Sequence, residues 1–352
     1  MRIDLDDASA VLNQDPGRML AAAGDLGVHC RDGYAQGSSA SGLPDLADVR
    51  SVVFCGMGGS AVAGDVLRSV FRDRLGVPVE VNRSPELPEH AGPHSLVVVS
   101  SYSGNTSETL GAFREAIKRG CRMIVVTSGG TVAEEAAGGG VPVVLVPGGF
   151  QPRAALGWLA FTALGALEAA GLLPPLAEDV AEATAEVEAR AAACGPDVRS
   201  GENPAKRLAA EIGDRVPVVW GAEGIGSAAA ARWKTQFNEN GKVPAWWASM
   251  SELDHNEVVG WTEPFGSAHC VIALRHDAEE PEIAARFPLS LEIAADAGAD
   301  THEVWATGRS ALARLLSLIS LGDFTSAYVA IRKGVDPTPV EVIQRLKAAL
   351  VS

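Results

Sequence analysis

The stretch SLVVVSSYSGNTSETLGAFREAIKRG, residues 95–120, decides the fold. It opens on the unbroken apolar run 96–99, the pattern of a strand covered on both faces, as parallel strands are. It closes as LGAFREAIKRG, whose apolar residues recur at helical spacing. Between the two, SYSGNTSE (101–108) is a strand-to-helix turn, with Gly104 at its bend and Ser103, Thr106 and Ser107 crowding it with hydroxyls. Hydroxyls beside the free backbone N–H groups of a helix N-terminus form an anion site. The segment contains no Lys or Arg. Charge is then met by neutral donors and the helix dipole, which suits a phosphate monoester that must be released. A Ser or Thr N-cap is the plainer account, but a cap uses one hydroxyl and this turn offers three.

The same alternation extends in both directions. SVVFCG (51–56), VPVEV (77–81), RMIVVTS (122–128) and VPVVLV (141–146) read as further strands with helices between them. Repeated strand–helix units give a doubly wound parallel sheet. After Pro152 the chain turns Ala-rich and helical to about residue 193, a linker or a packing and dimerisation element. Its most apolar part, 154–167, is too short to span a bilayer and reads as a buried core or interface helix. A second alternating unit follows, with strands at VPVVWG (216–221), AHCVIAL (268–274) and THEVWA (301–306). VVFCGMGGSAVA and VVWGAEGIGSAAA share a strand, a Gly-x-Gly and a Ser opening a helix, with Ser60 and Ser227 in corresponding places. Two related α/β domains in tandem are expected: a helical segment over 1–45, the first domain over 46–152, a helical linker over 153–200, the second domain over 201–330 and a helical segment over 331–352. The N-terminal segment reads as helical turns broken by Pro16, Gly33 and Gly37. The second copy has RHDAEEPE where the first has its hydroxyl turn, so the first domain should hold the phosphate.

Composition narrows the function. The chain has 352 residues, 47% hydrophobic and 21% charged, which is globular and long enough for two domains. Asp and Glu total 44 against 29 Lys and Arg, a net charge of -15 that argues against a nucleic-acid or anionic-membrane surface. The five cysteines are scattered with no C-x-x-C pair, as expected of reduced thiols in a cytoplasmic protein. MRIDLDDASA at the start lacks the apolar core of a signal peptide.

Other segments carry groups suited to chemistry. GMGGSA (56–61) matches G-x-G-x-x-A, with Glu80 where a ribose-binding acid would fall, so a nicotinamide dehydrogenase is a rival reading. Ser60, a donor that a dinucleotide loop does not need, favours a phosphosugar cradle instead. KTQFNENGKVPA (234–245) clusters Asn238, Glu239 and Asn240 at a helix end, where a carboxylate meets the unfavourable pole of the dipole and so suits a base more than a prop. In SELDHNEVVGW (251–261), His255 stands among Asp254, Asn256 and Glu257, and Trp246, Trp247 and Trp261 suggest a walled pocket around it. No His shows metal-ligand spacing. Arg153 heads an otherwise apolar helix, where a charge needs a partner or ligand. Lys347 alone would read as a surface helix lysine.

The strings GMGGSAVAGD, SYSGNTSET, NENGKVPA, SELDHNEVVGW and GVDPTPVEVIQRLK resemble the bifunctional phosphoglucose/phosphomannose isomerases of the sugar isomerase (SIS) domain superfamily. The first two are shared by SIS domains generally, while the NEN and DHNE strings together are more specific. The resemblance implies two SIS-type domains, a hexose 6-phosphate substrate, no cofactor or metal, and a homodimer with a shared active site. It implies that Gly59, Ser60, Ser101, Ser103 and Thr106 bind the phosphate and that Glu239 moves a proton between C1 and C2. It further implies that His255, from the partner subunit, assists ring opening, that Arg153 stabilises the enediolate, and that Lys347 joins ring opening or proton relay. Gly241 stands where the family often has Ala, and Asp254 where Asn is common; neither departure removes a reacting group. A non-catalytic sugar-phosphate binder is the alternative, since it would need the cradle but neither Glu239 nor His255.

Overall fold

A computed structural model describes residues 2–263 and 265–351, apart from the side chains of Lys347, Leu350 and Val351. Helices α1 (Ala8–Gln14), α2 (Met19–Gly24) and α3 (Leu26–Ser38) lead into β1 (Ser51–Cys55), α4 (Gly59–Val70), β2 (Val79–Asn82), β3 (Ser95–Ser101), α5 (Ser107–Lys118), β4 (Arg122–Thr127), α6 (Gly130–Gly138) and β5 (Val143–Leu145). Three helices follow, α7 (Leu156–Ala169), α8 (Ala177–Cys194) and α9 (Pro204–Ile212). The second unit runs through β6 (Val216–Gly221), α10 (Ile225–Glu239), β7 (Trp246–Ser249), β8 (His269–Arg275), α11 (Pro281–Ala284), α12 (Arg286–Asp296) and β9 (Asp300–Trp305), then α13 (Ala311–Arg332) and α14 (Glu341–Val351).

Both sheets are parallel throughout. The first has order β2-β1-β3-β4-β5 and the second β7-β6-β8-β9, so the two share one winding about their first strand. This is the flavodoxin-like order rather than the 3-2-1-4-5-6 of dinucleotide-binding folds. Alternate strand residues explain the layering. In the first sheet Val53, Cys55, Val97, Val99 and Val125 pack under Ala112, Phe113 and Ala136 of α5 and α6. Val52, Phe54, Leu96, Val98 and Ile124 face the other way, into a cluster with α3, α4, α7, α8 and α13. That cluster also receives Val219, Ile272 and Leu274 from the second sheet, whose opposite face is closed by Phe287, Leu291 and Ala294 of α12. One helical layer thus serves both sheets.

Helices α7 and α13 lie inside that layer. Every residue of 156–167 is buried within the chain, so the most apolar stretch of the sequence is core and offers no face to a second copy. By length and composition α13 passes as a membrane span, yet 94% of its apolar window is buried. Gly33 and Gly37 do not break α3, contrary to expectation. They let it lie against α7: a Cβ on Gly37 would come 2.1 Å from the Thr162 carbonyl oxygen, and one on Gly165 2.4 Å from that of Tyr34. Strand β7 is the element that the sequence did not announce. It is a sheet edge with Trp246 and Trp247 exposed, so it carries no buried apolar run.

Candidate active site

At the carboxyl ends of β1 and β3, α4 and α5 depart to opposite faces of the first sheet. Such a switch point leaves a crevice where ligands of open α/β sheets bind. Ser60, in the first turn of α4, accepts the Tyr102 N–H at 3.2 Å and so joins the two loops that line the crevice. Ser101 is buried and its Oγ has no hydrogen-bond partner among the described residues. Thr106 is the N-cap of α5, but its side chain makes no capping hydrogen bond. The exposed Ser103 accepts the Asn105 N–H at 3.3 Å. Gly104 holds φ +68°, and a Cβ there would lie 1.8 Å from the Gly129 carbonyl oxygen, so only glycine fits the bend. Hydroxyls that neither cap nor fold remain available to a ligand.

The crevice adjoins a second cluster through Gly59. A Cβ on Gly59 would come 2.8 Å from Pro152 O and 3.1 Å from Arg153 Cα, so the start of α4 rests directly on the segment that bears Arg153. Arg153 is 2% exposed and points into the chain. Its Nε donates to Asn240 Oδ1 at 2.6 Å, and its Nη2 donates to the carbonyls of Pro337 at 3.0 Å and Thr338 at 2.8 Å. Its Nη1 lies 3.6 Å from Glu239 Oε2. Burial draws the guanidinium below its usual range, and the Glu239 carboxylate is the largest influence in the other direction.

Glu239 is the last residue of α10, with a side chain 29% exposed. It lines a cavity of ≈ 550 Å³ with Asn238, Lys242, Asp336 and Val340. Lys242, at φ +53°, donates to the carbonyls of Glu239, Pro337 and Pro339. Pro337 O is therefore gripped by two cations, which pins the 335–340 turn beside Glu239.

The Ser60–Tyr102 bond brings the turn of Gly59 and Ser60 to that of Ser101, Ser103 and Thr106, and Arg153 pairs with Glu239, whereas His255 shares neither a bond nor a cavity lining with them among the described residues. His255 is exposed on the turn Leu253–His255, and its side chain has no hydrogen bond or ion pair among the described residues. The tryptophan-walled cavity does exist, at ≈ 380 Å³, but it is lined by Trp246, Trp247, Trp261, Glu257 and His269 instead of His255. Glu257 belongs to that wall and accepts from Trp220 Nε1 at 2.9 Å. Asp254 is spent on α12, accepting from Ser290 Oγ at 2.7 Å and Arg286 Nη1 at 3.2 Å. Lys347 falls in α14, and its side chain lies outside the described residues.

Several residues around Arg153 were not anticipated. Arg232 donates Nη2 to Arg153 O at 2.7 Å and pairs with Asp323 through Nε at 3.2 Å and Nη2 at 2.9 Å. Gln236 Nε2 also donates to Asp323, at 2.8 Å. A signal was present: Asp323 is the lone carboxylate in LLSLISLGDFTSAYVAI, an apolar helix where a charge demands a partner.

Residues 45–137 match the SIS domain family model, and residues 201–350 match the model of the bacterial phospho-glucose isomerase C-terminal SIS domain. The chain is 36% identical over 337 residues to a bifunctional phosphoglucose/phosphomannose isomerase of Caldicellulosiruptor bescii, covering 94% of this chain and 98% of that protein. It is 35% identical to a protein of the same name from Aquifex aeolicus, over 87% of this chain and 92% of that one. Among solved structures, a glucose-6-phosphate isomerase like protein from Thermus thermophilus superposes with TM-score 0.64 at 20% identity, over 98% of this chain and 99% of the other.

Proposed function

The chain belongs to the bifunctional phosphoglucose/phosphomannose isomerase family, and from that premise we propose that it interconverts glucose 6-phosphate and mannose 6-phosphate with fructose 6-phosphate. Arg153 carries the reading, because one residue joins the two halves of such a site. Its backbone touches Gly59 of the phosphate cradle and its guanidinium reaches Glu239.

The phosphate sits at the N-terminus of α5, held by Ser101, Ser103 and Thr106 with the Gly59–Ser60 turn. Binding energy from this remote group fixes the reacting carbons. Once the ring is open, Glu239 removes the C2 proton as general base and a cis-enediolate forms. The same carboxylate returns the proton at C1, so one base on one face suffices. Arg153 Nη1 lies beside Glu239 and offsets the negative charge that develops on the enediolate oxygens. A glutamate base serves the analogous enediol reaction of triosephosphate isomerase. Glucose and mannose phosphates differ only at C2, so rotation about C2–C3 presents either epimer to the same carboxylate.

Ring opening falls to His255, with Lys347 assisting. Because His255 is exposed and shares neither a bond nor a cavity lining with Glu239 among the described residues, we assign it to the site of a partner subunit in a homodimer. The domains serving this site are 46–152 and 201–330, with 1–45, 153–200 and 331–352 as helical segments, and the enzyme is placed in the cytoplasm, where its free cysteines stay reduced. The test is a coupled assay on glucose and mannose 6-phosphates side by side, with and without EDTA. Turnover of both sugars, unaffected by EDTA, is expected. Saturable binding without turnover, or full turnover by Glu239→Gln, rejects the proposal.

A further inference from the structure

Asn240, one residue beyond Glu239, is 1% exposed and stands between Arg153 and α13. Its Oδ1 accepts from Arg153 Nε at 2.6 Å, and its Nδ2 donates to Ser326 Oγ at 3.0 Å. Ser326, fully buried, donates its hydroxyl to Asp323 O at 2.9 Å. This chain has a direction. A carbonyl only accepts, so the single Ser326 proton is committed to Asp323. The Ser326 oxygen is then left as an acceptor, which takes the amide nitrogen of Asn240 and turns the amide oxygen toward Arg153. A guanidinium only donates, so every link is satisfied in this order, whereas an inverted amide would set two donors against each other at Arg153.

The consequence is geometric. Asn240 occupies Nε of Arg153, and Pro337 and Thr338 occupy Nη2. Nη1 is left, the nitrogen 3.6 Å from Glu239, and it makes no hydrogen bond among the described residues. The main chain of Arg153 is tied to the same helix through Arg232 and Asp323. We propose that Asn240 and Ser326 are positioning residues which orient Arg153 so that its Nη1 edge alone is presented to the reacting carbons. They touch no substrate. The inference rests on the isomerase reading and adds the device that aims its cation.

The test uses the full chain with fructose 6-phosphate. Asn240→Leu removes the acceptor at similar volume, and Ser326→Ala removes only the hydroxyl that sets the amide. Misplacement near the reacting atoms costs up to roughly a hundredfold, so Asn240→Leu should lower kcat about ten- to a hundredfold. Its KM should stay within about twofold, because the phosphate grip lies in the other lobe. Ser326→Ala should lower kcat in the same direction by a smaller factor. The double variant should be no slower than Asn240→Leu alone, since the two act in one chain. Wild-type kcat in Ser326→Ala, or multiplicative losses in the double variant, overturn the proposal. If Asn240→Leu does not fold, Ser326→Ala still decides by its kcat-against-KM split: equal losses through KM count against positioning. A wild-type protein without turnover would instead defeat the isomerase reading itself.

Discussion

Arg153 Nη1 stands 3.6 Å from Glu239 Oε2, although the two residues lie 86 positions apart in the chain and the arginine is almost wholly buried. Its other donors are committed to Asn240, Pro337 and Thr338. On the proposed reading, a cation so fixed, with one edge left beside a part-exposed carboxylate, meets the charge that develops there.

Replacing that fork by a single ammonium tests the arrangement. Arg153→Lys keeps the charge but cannot bridge Asn240 and the 337–338 carbonyls together. Losing hydrogen bonds made by a charged group should cost roughly 2–3 kcal/mol in chemical unfolding. Turnover should fall further than stability does. A lysine variant with native kcat would show that the fork geometry is dispensable.

Ser101→Ala separates binding from folding. The Ser101 hydroxyl is buried without a partner among the described residues, so removing it breaks no bond seen there and should leave the melting temperature unchanged or raised. KM for the sugar phosphate should rise several-fold if that hydroxyl meets the phosphate. An unchanged KM would take Ser101 out of the cradle.

Glu239→Gln should lower kcat by roughly 10²–10⁴, the usual scale of general acid–base catalysis, with KM little altered. Mixed with His255→Asn, also expected to be inactive, it should regain activity. A hybrid dimer holds one intact site if each site takes its glutamate and histidine from different subunits, so random mixing should restore about a quarter of native activity. No recovery after verified subunit exchange would place both residues on one chain.

Stability should fall on mild acidification. Burial lowers the proton affinity of His29, against opposing influences from Asp25, Asp32 and the Ala154 backbone. Burial does the same to His276, whose ring nitrogens both lack hydrogen-bond partners among the described residues. Their folded pKa values lie below the ordinary 6.5, so the unfolded chain binds more protons as pH drops through that value. Full stability is therefore kept above about 6.5, the unfolded value, and is lost as pH falls from there toward the folded values. Urea midpoints at pH 7.5 and pH 5.5 should differ, and His276→Asn should narrow the gap. An equal gap in the variant would assign the acid sensitivity to other groups.

The crossing of α3 on α7 offers a purely structural check. A methyl at Gly37 would meet the Thr162 carbonyl at 2.1 Å, so Gly37→Ala should destabilise by roughly 1–3 kcal/mol despite alanine's better helix propensity. A more stable variant would mean that the two helices slide apart at little cost.

Local pattern was enough to read the buried strands and the hydroxyl turn. Val runs announced β1, β3 and β4, and the repeat of strand, Gly-x-Gly and Ser in both halves is mirrored in two sheets wound alike. NENGKVPA marked Glu239 at a helix end, where it is found. Strand β7 escaped because an exposed edge carries no burial signature. The roles of Gly33 and Gly37 escaped because a glycine that ends a helix and one that lets a neighbour approach look alike in one dimension.

The sequence by itself determined the buried strands and most helices, the parallel sheets and the chemical types assembled at the turns, because apolar periodicity and turn residues act within a few positions of one another. Only the tertiary structure decided that 156–167 is core, that Trp246 and Trp247 wall a cavity from which His255 is absent, and that Arg153 is aimed at Glu239 by Asn240, Ser326 and the 337–338 carbonyls. Those bonds join residues tens to hundreds of positions apart. Their existence depends on how two sheets close on one helical layer, a relation that no local spacing records.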